Sequence, residues 1–174
     1  MELNDAIELI QSDQLSQTHT SSWADLGCGS GLFTAALSHF LLPGSNIYAI
    51  DNKPVAKIKG VKPGIHTTIQ QADFLKDPFT FKALDGIIIA NALHYVRDKE
   101  GFIKKMQQAL KPEGLLLVVE YDTDKPVPVW VPYPVSYHTL QQLFEHQGYT
   151  HIHKLQQRPS VFGAANIYAA LIHR

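Results

Sequence analysis

The stretch ADLGCGSGLFT, Ala24 to Thr34, decides how the rest of this chain is read. A polar-to-apolar entry leads into glycines at alternate positions 27, 29 and 31, and an apolar run then continues at helical spacing. That is the outline of a strand, a tight loop and a helix. Alternate glycines let the backbone take positive φ and bring a ligand against amide groups that a Cβ would shield. A helix opening at Gly31 or Leu32 aims its free N–H groups at whatever occupies the loop. The loop is built to hold something small and polar.

Spacing separates this loop from its competitors. A dinucleotide-binding turn has G-x-G-x-x-G, with the third glycine beside a pyrophosphate. Here the pattern is G-x-G-x-G and Leu32 stands at the later position. A P-loop requires Gly-Lys-Ser/Thr, which the stretch lacks. Asp25, two residues before the first glycine, would repel a pyrophosphate and suits a ligand with a cationic head. On these residues the chain resembles the class I S-adenosylmethionine-dependent methyltransferases, since DLGCGSG is similar to that family's first motif, an acid followed by x-G-x-G-x-G. A turn in an ordinary α/β protein is the alternative the glycines alone leave open.

Length and composition bound the rest. With 174 residues, 45% of them hydrophobic, the chain is long enough for one well-buried core and short for two. One domain over residues 1–174 is expected, the first twenty or so forming an amphipathic helix (Leu3, Ala6, Ile7, Ile10) and a polar linker, Gln17 to Ser22. A net charge of −1 gives no general attraction to nucleic acid or anionic lipid, so neither partner is expected. The single Cys28 excludes an internal disulfide, and MELNDAIELI carries acids where a secretory leader carries Lys or Arg. A soluble cytoplasmic domain is the expectation.

Working outward, Trp23 to Leu26 reads as the first strand, and Phe33, Ala36, Leu37, Phe40 and Leu41 as the buried stripe of the next helix, ended by Pro43-Gly44. Asn46 to Ile50 is a second strand, closed by Asp51, 20 residues past Gly31. An acid at that place can accept hydrogen bonds from both hydroxyls of a ribose, the role the resemblance implies for Asp51 beside Asn52; a solvated turn acid is the alternative. Pro54, Val55, Ile58 and Gly60 suggest a short helix, with lysines 53, 57, 59 and 62 on a solvated face. His66 to Ala72 is a third strand. By resemblance Asp73 accepts from the adenine amino group and Phe74 covers the ring; alternatively Asp73 caps the next turn and Phe74 is core.

LDGIIIANA, Leu84 to Ala92, is apolar enough for a central parallel strand, and Asn91 to Tyr95 just beyond it should line the ligand. This segment lacks the Asn/Asp-Pro-Pro-Tyr that family members acting on amide or base nitrogens often carry, which counts against an adenine-N6 or glutamine methyltransferase. Phe102, Ile103, Met106 and Leu110 form the next helical stripe, and LKPEG turns into a fifth strand, Leu115 to Tyr121. From Tyr121 to Tyr137, four prolines forbid a helix among interleaved aromatics, giving either a substrate wall or a loop packed on the core. Ser136 caps a helix burying Leu140, Leu143 and Phe144 and ended by Gly148. Strands at about 151–157 and 166–173, joined by Arg158 to Ala165, complete the chain. The resemblance implies a Rossmann-like, doubly wound, mostly parallel sheet ordered 3-2-1-4-5-7-6, last strand antiparallel, with helices on both faces.

The chemistry implied is transfer of the S-adenosylmethionine methyl group to a small-molecule acceptor, leaving S-adenosylhomocysteine. The expected cofactor contacts are Asp25, Gly27, Cys28, Gly29, Ser30, Gly31, Asp51, Asn52, Asp73, Phe74 and Asn91. His94, a residue type whose unperturbed pKa is near neutrality, is the best-placed candidate base, with Tyr95, Glu120 and Asp122 weaker ones; packing beneath the cofactor or a hydrogen bond to a loop carbonyl is the alternative for His94. Cys28 reads as a small side chain chosen for space. His151 and His153 share one face of a strand, but with no third ligand nearby in sequence they read as solvent-facing, so no metal is expected. The short segment before the first strand leaves the cofactor to be closed by the Pro-rich loop, a second subunit of a homodimer, or the acceptor itself. A non-catalytic S-adenosylmethionine-binding regulatory module is the alternative function.

Overall fold

A computed structural model describes residues 1–16, 18–160 and 165–174. Gln17 of the expected linker, and residues 161–164 of the connection between the last two strands, lie outside the described residues. The elements run α1 (Leu3–Ile10), β1 (Ser22–Leu26), α2 (Leu32–Ser38), β2 (Asn46–Asp51), β3 (His66–Gln71), β4 (Leu84–Ala90), α3 (Lys99–Ala109), β5 (Leu110–Tyr121), α4 (Tyr137–His146), β6 (His151–Pro159) and β7 (Asn166–His173). They form one seven-stranded sheet ordered β3-β2-β1-β4-β5-β7-β6. β1 to β5 pair in parallel, and β7 runs antiparallel to both β5 and β6.

Alternation along the strands divides the core. Ala24, Leu26, Ile87, Ile89, Leu116 and Val118 face Phe102, Ile103 and Met106 of α3 and Leu140 and Phe144 of α4. Trp23, Ile88, Leu117 and Val119 face Ala6, Leu9 and Ile10 of α1 and Phe33, Ala36 and Leu37 of α2. Burial on both faces explains why β4 reads as an unbroken apolar run. Among the described residues, no helix is long and apolar enough to cross a membrane.

Three expectations change. The short helix at Pro54 to Gly60 does not form; the segment is irregular, with Ile58 buried at 6% exposure against Cys28, Ala35 and Ala49. Five residues between Pro and Gly give too few hydrogen bonds to offset helix nucleation, and one anchored isoleucine settles the path instead. Lys62 is not simply solvated, because its ammonium donates to the Leu41 and His39 carbonyls at 3.1 and 3.4 Å, beyond the end of α2. LKPEG is not a free turn: Leu110 already pairs with Leu84, and a register shift follows before Gly86 meets Leu115.

His151 and His153 are exposed, as the sequence reading has them, but a third histidine far away in sequence joins them. Antiparallel pairing sets His173, at the far end of β7, directly opposite His151.

Candidate active site

The glycine loop is tied to the tips of the neighbouring strands. The N–H groups of Gly27 and Cys28 both donate to the Ile50 carbonyl at the end of β2, at 2.8 and 2.9 Å. Gly27, Gly29 and Gly31 all have positive φ, yet their surroundings differ. A Cβ on Gly27 would stand 2.7 Å from Ala92 Cβ, and one on Gly31 would stand 2.6 Å from Ile58, whereas one on Gly29 would meet nothing within 4 Å. Gly27 and Gly31 make room for protein; Gly29 leaves its face open. Its N–H donates to Asp51 Oδ2 at 2.8 Å, and Asp51 Oδ1 accepts from the Lys53 N–H at 2.9 Å. Each carboxylate oxygen keeps a further lone pair.

Beyond these strand ends lies a cleft of about 540 Å³, lined by Gly27, Gly29, Asp51, Asn52, Lys53, Pro54, Val55, Phe74, Asn91, Ala92 and Tyr95. That volume suits a nucleoside-sized ligand. Phe74 forms one wall, its ring tilted against Phe102 at 5.6 Å between centroids. Asn91 ends β4 in the left-handed region, φ +51°, and its N–H donates to the Val119 carbonyl at 2.8 Å. Its side-chain Oδ1 is buried without a hydrogen-bond partner among the described residues. Such an atom costs free energy until something donates to it.

Of the residues expected from the sequence, Gly27, Gly29, Asp51, Asn52, Phe74, Asn91 and Tyr95 come together on the cleft wall. Ser30 is exposed on the loop, and Gly31 faces Ile58. Asp25 sits beneath the loop at 1% exposure, where Oδ2 accepts from Thr34 Oγ1 at 2.5 Å and Oδ1 has no partner among the described residues. Burial, and then the charge of Asp51, push its carboxyl up to about 7. Burial, followed by the charges of Asp25 and Asp51, pushes the Cys28 thiol up to about 12, which leaves it a space-filling group. Asp73 is taken up in its own turn: Oδ1 accepts from the Leu75 N–H at 3.0 Å and Oδ2 meets Lys76 at 3.2 Å.

His94 is not on the wall either. It is 3% exposed, and its Nδ1 bonds Glu120 Oε2 at 2.8 Å while its backbone N–H donates to Oε1 at 3.0 Å. Glu120 is itself fully buried. The pair holds the turn Leu93–Tyr95, which presents Tyr95, 47% exposed, to the cleft with its ring 4.3 Å from that of His94. The Pro-rich loop is fastened to the same turn, since the Tyr133 N–H donates to the His94 carbonyl at 2.9 Å. Asp122, the other weak candidate, accepts from Lys154 at 2.9 Å and from the Tyr137 N–H. At the loop's tip Val127 and Val131 pair around Val129 and Trp130, which are 86% and 74% exposed, and Val129 has φ +74°. Lys53, Pro54 and Val55 also line the cleft, where the sequence pattern places Lys53 on a solvated face and Pro54 and Val55 at the start of a short helix.

Comparison with known proteins gives the family and the fold. A family described as "Methyltransferase domain" matches residues 24–118. The chain is 26% identical over 134 residues to the uncharacterized methyltransferase YodH of Bacillus subtilis, covering 75% of this chain and 52% of that protein. It is 34% identical over 109 residues to the ubiquinone/menaquinone biosynthesis C-methyltransferase UbiE of Shewanella frigidimarina, covering 58% and 43%. It thus spans about half the length of these curated relatives. Among solved structures, the 1,6-didemethyltoxoflavin-N1-methyltransferase of Burkholderia thailandensis, with 1,6-didemethyltoxoflavin and S-adenosylhomocysteine bound, superposes with a TM-score of 0.67 at 14% identity, covering 99% of this chain and 78% of that one.

Proposed function

The chain belongs to the methyltransferase-domain family, within the class I S-adenosylmethionine-dependent methyltransferases, and from that premise we propose that its cleft holds S-adenosylmethionine and serves methyl transfer to a small-molecule acceptor entering past Tyr95. The observation that carries this reading is the open face of Gly29 beside Asp51, with the unpartnered Asn91 Oδ1 nearby on the same wall. The donor set fits the group. Asp51 has lone pairs for two ribose hydroxyls, Phe74 offers a flat apolar cover for the base, and Asn91 Oδ1 can accept from an ammonium.

When bound, S-adenosylmethionine supplies a methyl group already activated on a sulfonium sulfur. The residues of the chain need only hold the acceptor in line and exclude water. Tyr95, with the aromatic tip of the Pro-rich loop fastened behind it, forms the acceptor side. His94 and Glu120 are positioning residues that fix the turn carrying Tyr95. Asp73 contributes by shaping the turn that sets Phe74. The fold domain spans residues 1–174, and closure over the acceptor comes from the loop 121–137.

Titration calorimetry of the folded chain with S-adenosylmethionine and S-adenosylhomocysteine tests the reading; micromolar binding is expected, and no binding well above that range removes it. One observation favours a second reading, a non-catalytic S-adenosylmethionine-binding module: the imidazole read as a base is withdrawn from the cleft wall. Cofactor binding without transfer across broad acceptor panels, together with a co-purifying partner protein, would select it.

A further inference from the structure

At the end of the sheet away from the cleft, three imidazoles gather on the outer pair of strands. Their position follows from register. β5 runs parallel to β1, whose far end carries the glycine loop; Ile172 pairs with Leu116, which is level through Ile87 with Ala24 in the middle of β1, so His173, one residue on, is level with Trp23 towards the start of β1. His173 is therefore next to the opposite end. His151 and His153 share one face of β6, two residues apart, and His151 lies opposite His173. Ring centroids are 4.5 Å apart for His151 and His173, and 6.0 Å for each pair that includes His153. One ring nitrogen from each histidine lies within 4.8 Å of the other two.

We propose that His151, His153 and His173 form a binding site for a divalent late transition metal, zinc foremost, which clips the edge strand β6 to β7. The tautomer of His173 supports this. Its Nδ1 faces the backbone oxygen of Arg174 at 3.2 Å, an acceptor, so Nδ1 carries the proton and Nε2 the lone pair. That Nε2 is buried and has no hydrogen-bond partner among the described residues. A metal-binding imidazole is commonly oriented in this way, by an oxygen on its other nitrogen. His151 and His153 are exposed, His151 stacked on His173, while His173 is half-buried and oriented by its Nδ1 contact to the Arg174 oxygen.

Two imidazole nitrogens on one tetrahedral zinc lie roughly 3.4 Å apart, given bonds of about 2.0–2.1 Å. Closing from 4.8 Å requires only side-chain rotation of the two exposed rings. Three neutral imidazoles suit zinc, copper(II) or nickel(II) rather than magnesium or calcium, and they leave a position for water or another ligand. Their distance from the cleft makes the site a brace for an otherwise open sheet edge, separate from methyl transfer.

The test uses the untagged full chain, stripped with a chelator and desalted, titrated with zinc chloride at pH 7.5 in a non-chelating buffer. One zinc per chain is expected with micromolar or tighter affinity, and a higher melting temperature with metal present. His151→Ala and His153→Ala change exposed side chains, so both variants should fold, as far-ultraviolet circular dichroism will report. Each should weaken binding at least tenfold and lose the metal-dependent rise in melting temperature, while His66→Ala on the opposite edge strand should leave both unchanged. Copper(II) bound to the wild-type chain should show electron paramagnetic resonance coupling to three nitrogens. Absence of saturable binding, or affinity that persists in the His151→Ala/His153→Ala double variant, overturns the proposal.

Discussion

Replacing each loop glycine by alanine separates the ligand's space from the protein's. At Gly29 the φ of +54° lies in the left-handed region and a Cβ would meet nothing within 4 Å. The only cost to the fold is therefore the left-handed backbone, about 1–2 kcal/mol. At Gly31 the same change drives a Cβ to within 2.6 Å of two carbons of Ile58. Ile58 is buried and β-branched, so it cannot swing aside, and overpacking adds about 1–3 kcal/mol to the backbone cost. Gly27→Ala meets Ala92 Cβ at 2.7 Å and the Phe74 ring at 3.2 Å, with a similar penalty. Urea denaturation should rank Gly29→Ala as the mildest of the three, with Gly27→Ala and Gly31→Ala losing about 2–5 kcal/mol. Calorimetry with S-adenosylhomocysteine should give the opposite order of interest: the well-folded Gly29→Ala binds more than tenfold more weakly, a loss above about 1.4 kcal/mol. Unchanged affinity in that variant would mean that no ligand rests against the Gly29 amide, and the assignment of the cleft would fall with it.

Other substitutions probe the remaining parts. Asp51→Ala removes the acceptor proposed for two ribose hydroxyls as well as the tether of Gly29, and at about 1.5–3 kcal/mol per charged hydrogen bond it should weaken S-adenosylhomocysteine binding roughly a hundredfold or more; calorimetry reads this directly. Because the folded Asp25 carboxyl lies at about 7 against 3.8 when unfolded, the native chain holds a proton in that interval which the unfolded chain has released, so stability falls as pH rises from about 4 to 7. Asp25→Asn should flatten that slope, worth at most about 4 kcal/mol, in urea denaturation repeated across pH. His94→Ala leaves the Glu120 carboxylate buried without its imidazole and should cost about 3–5 kcal/mol, whereas the double variant His94→Phe/Glu120→Leu should recover most of it; a loss below about 1 kcal/mol for the single change would show that the pair is not the lock described.

What the sequence told and what it withheld follow from the kind of information each residue carries. Asp51 was legible because a strand's end and a glycine loop fix its place to within a residue, and Phe74 because an apolar residue just past a third strand has few other places to go. Direction was harder. Leu93, His94 and Tyr95 form a single turn of three, so adjacent side chains leave it at wide angles. Nothing in their order says that the imidazole goes inward to Glu120 and the phenol outward to the cleft. Val55 and Ile58 fit a helical face and an irregular strap equally well, and packing against the glycine loop chose the strap. Asp73 fits both a ligand acceptor and a cap, and the local Leu75 and Lys76 partners were nearer. His173 is 20 residues from His153 in sequence, and only the register of β6 on β7 makes them neighbours.

The two ends of the cleft are built differently, and this bears on how one fold can serve many acceptors. At the loop end each wall residue is locked by another: Ala92 occupies the space a Gly27 side chain would need, Phe74 rests on the same glycine and on Phe102, and Asn91 is held by Val119. Moving any one disturbs the others, so this end is formed before a ligand arrives. At the other end Tyr95, Trp130 and Tyr133 are exposed; the loop carrying the last two is tied at Tyr133 to the His94 carbonyl and to the Lys99 ammonium, which donates to the Tyr133 carbonyl at 2.7 Å, and further along by the Tyr168 hydroxyl on the Val135 carbonyl. These side chains can be exchanged without touching the packed end. On the function proposed above, acceptor choice would reside in the loop 121–137 and in Tyr95, with the strand tips holding the nucleoside.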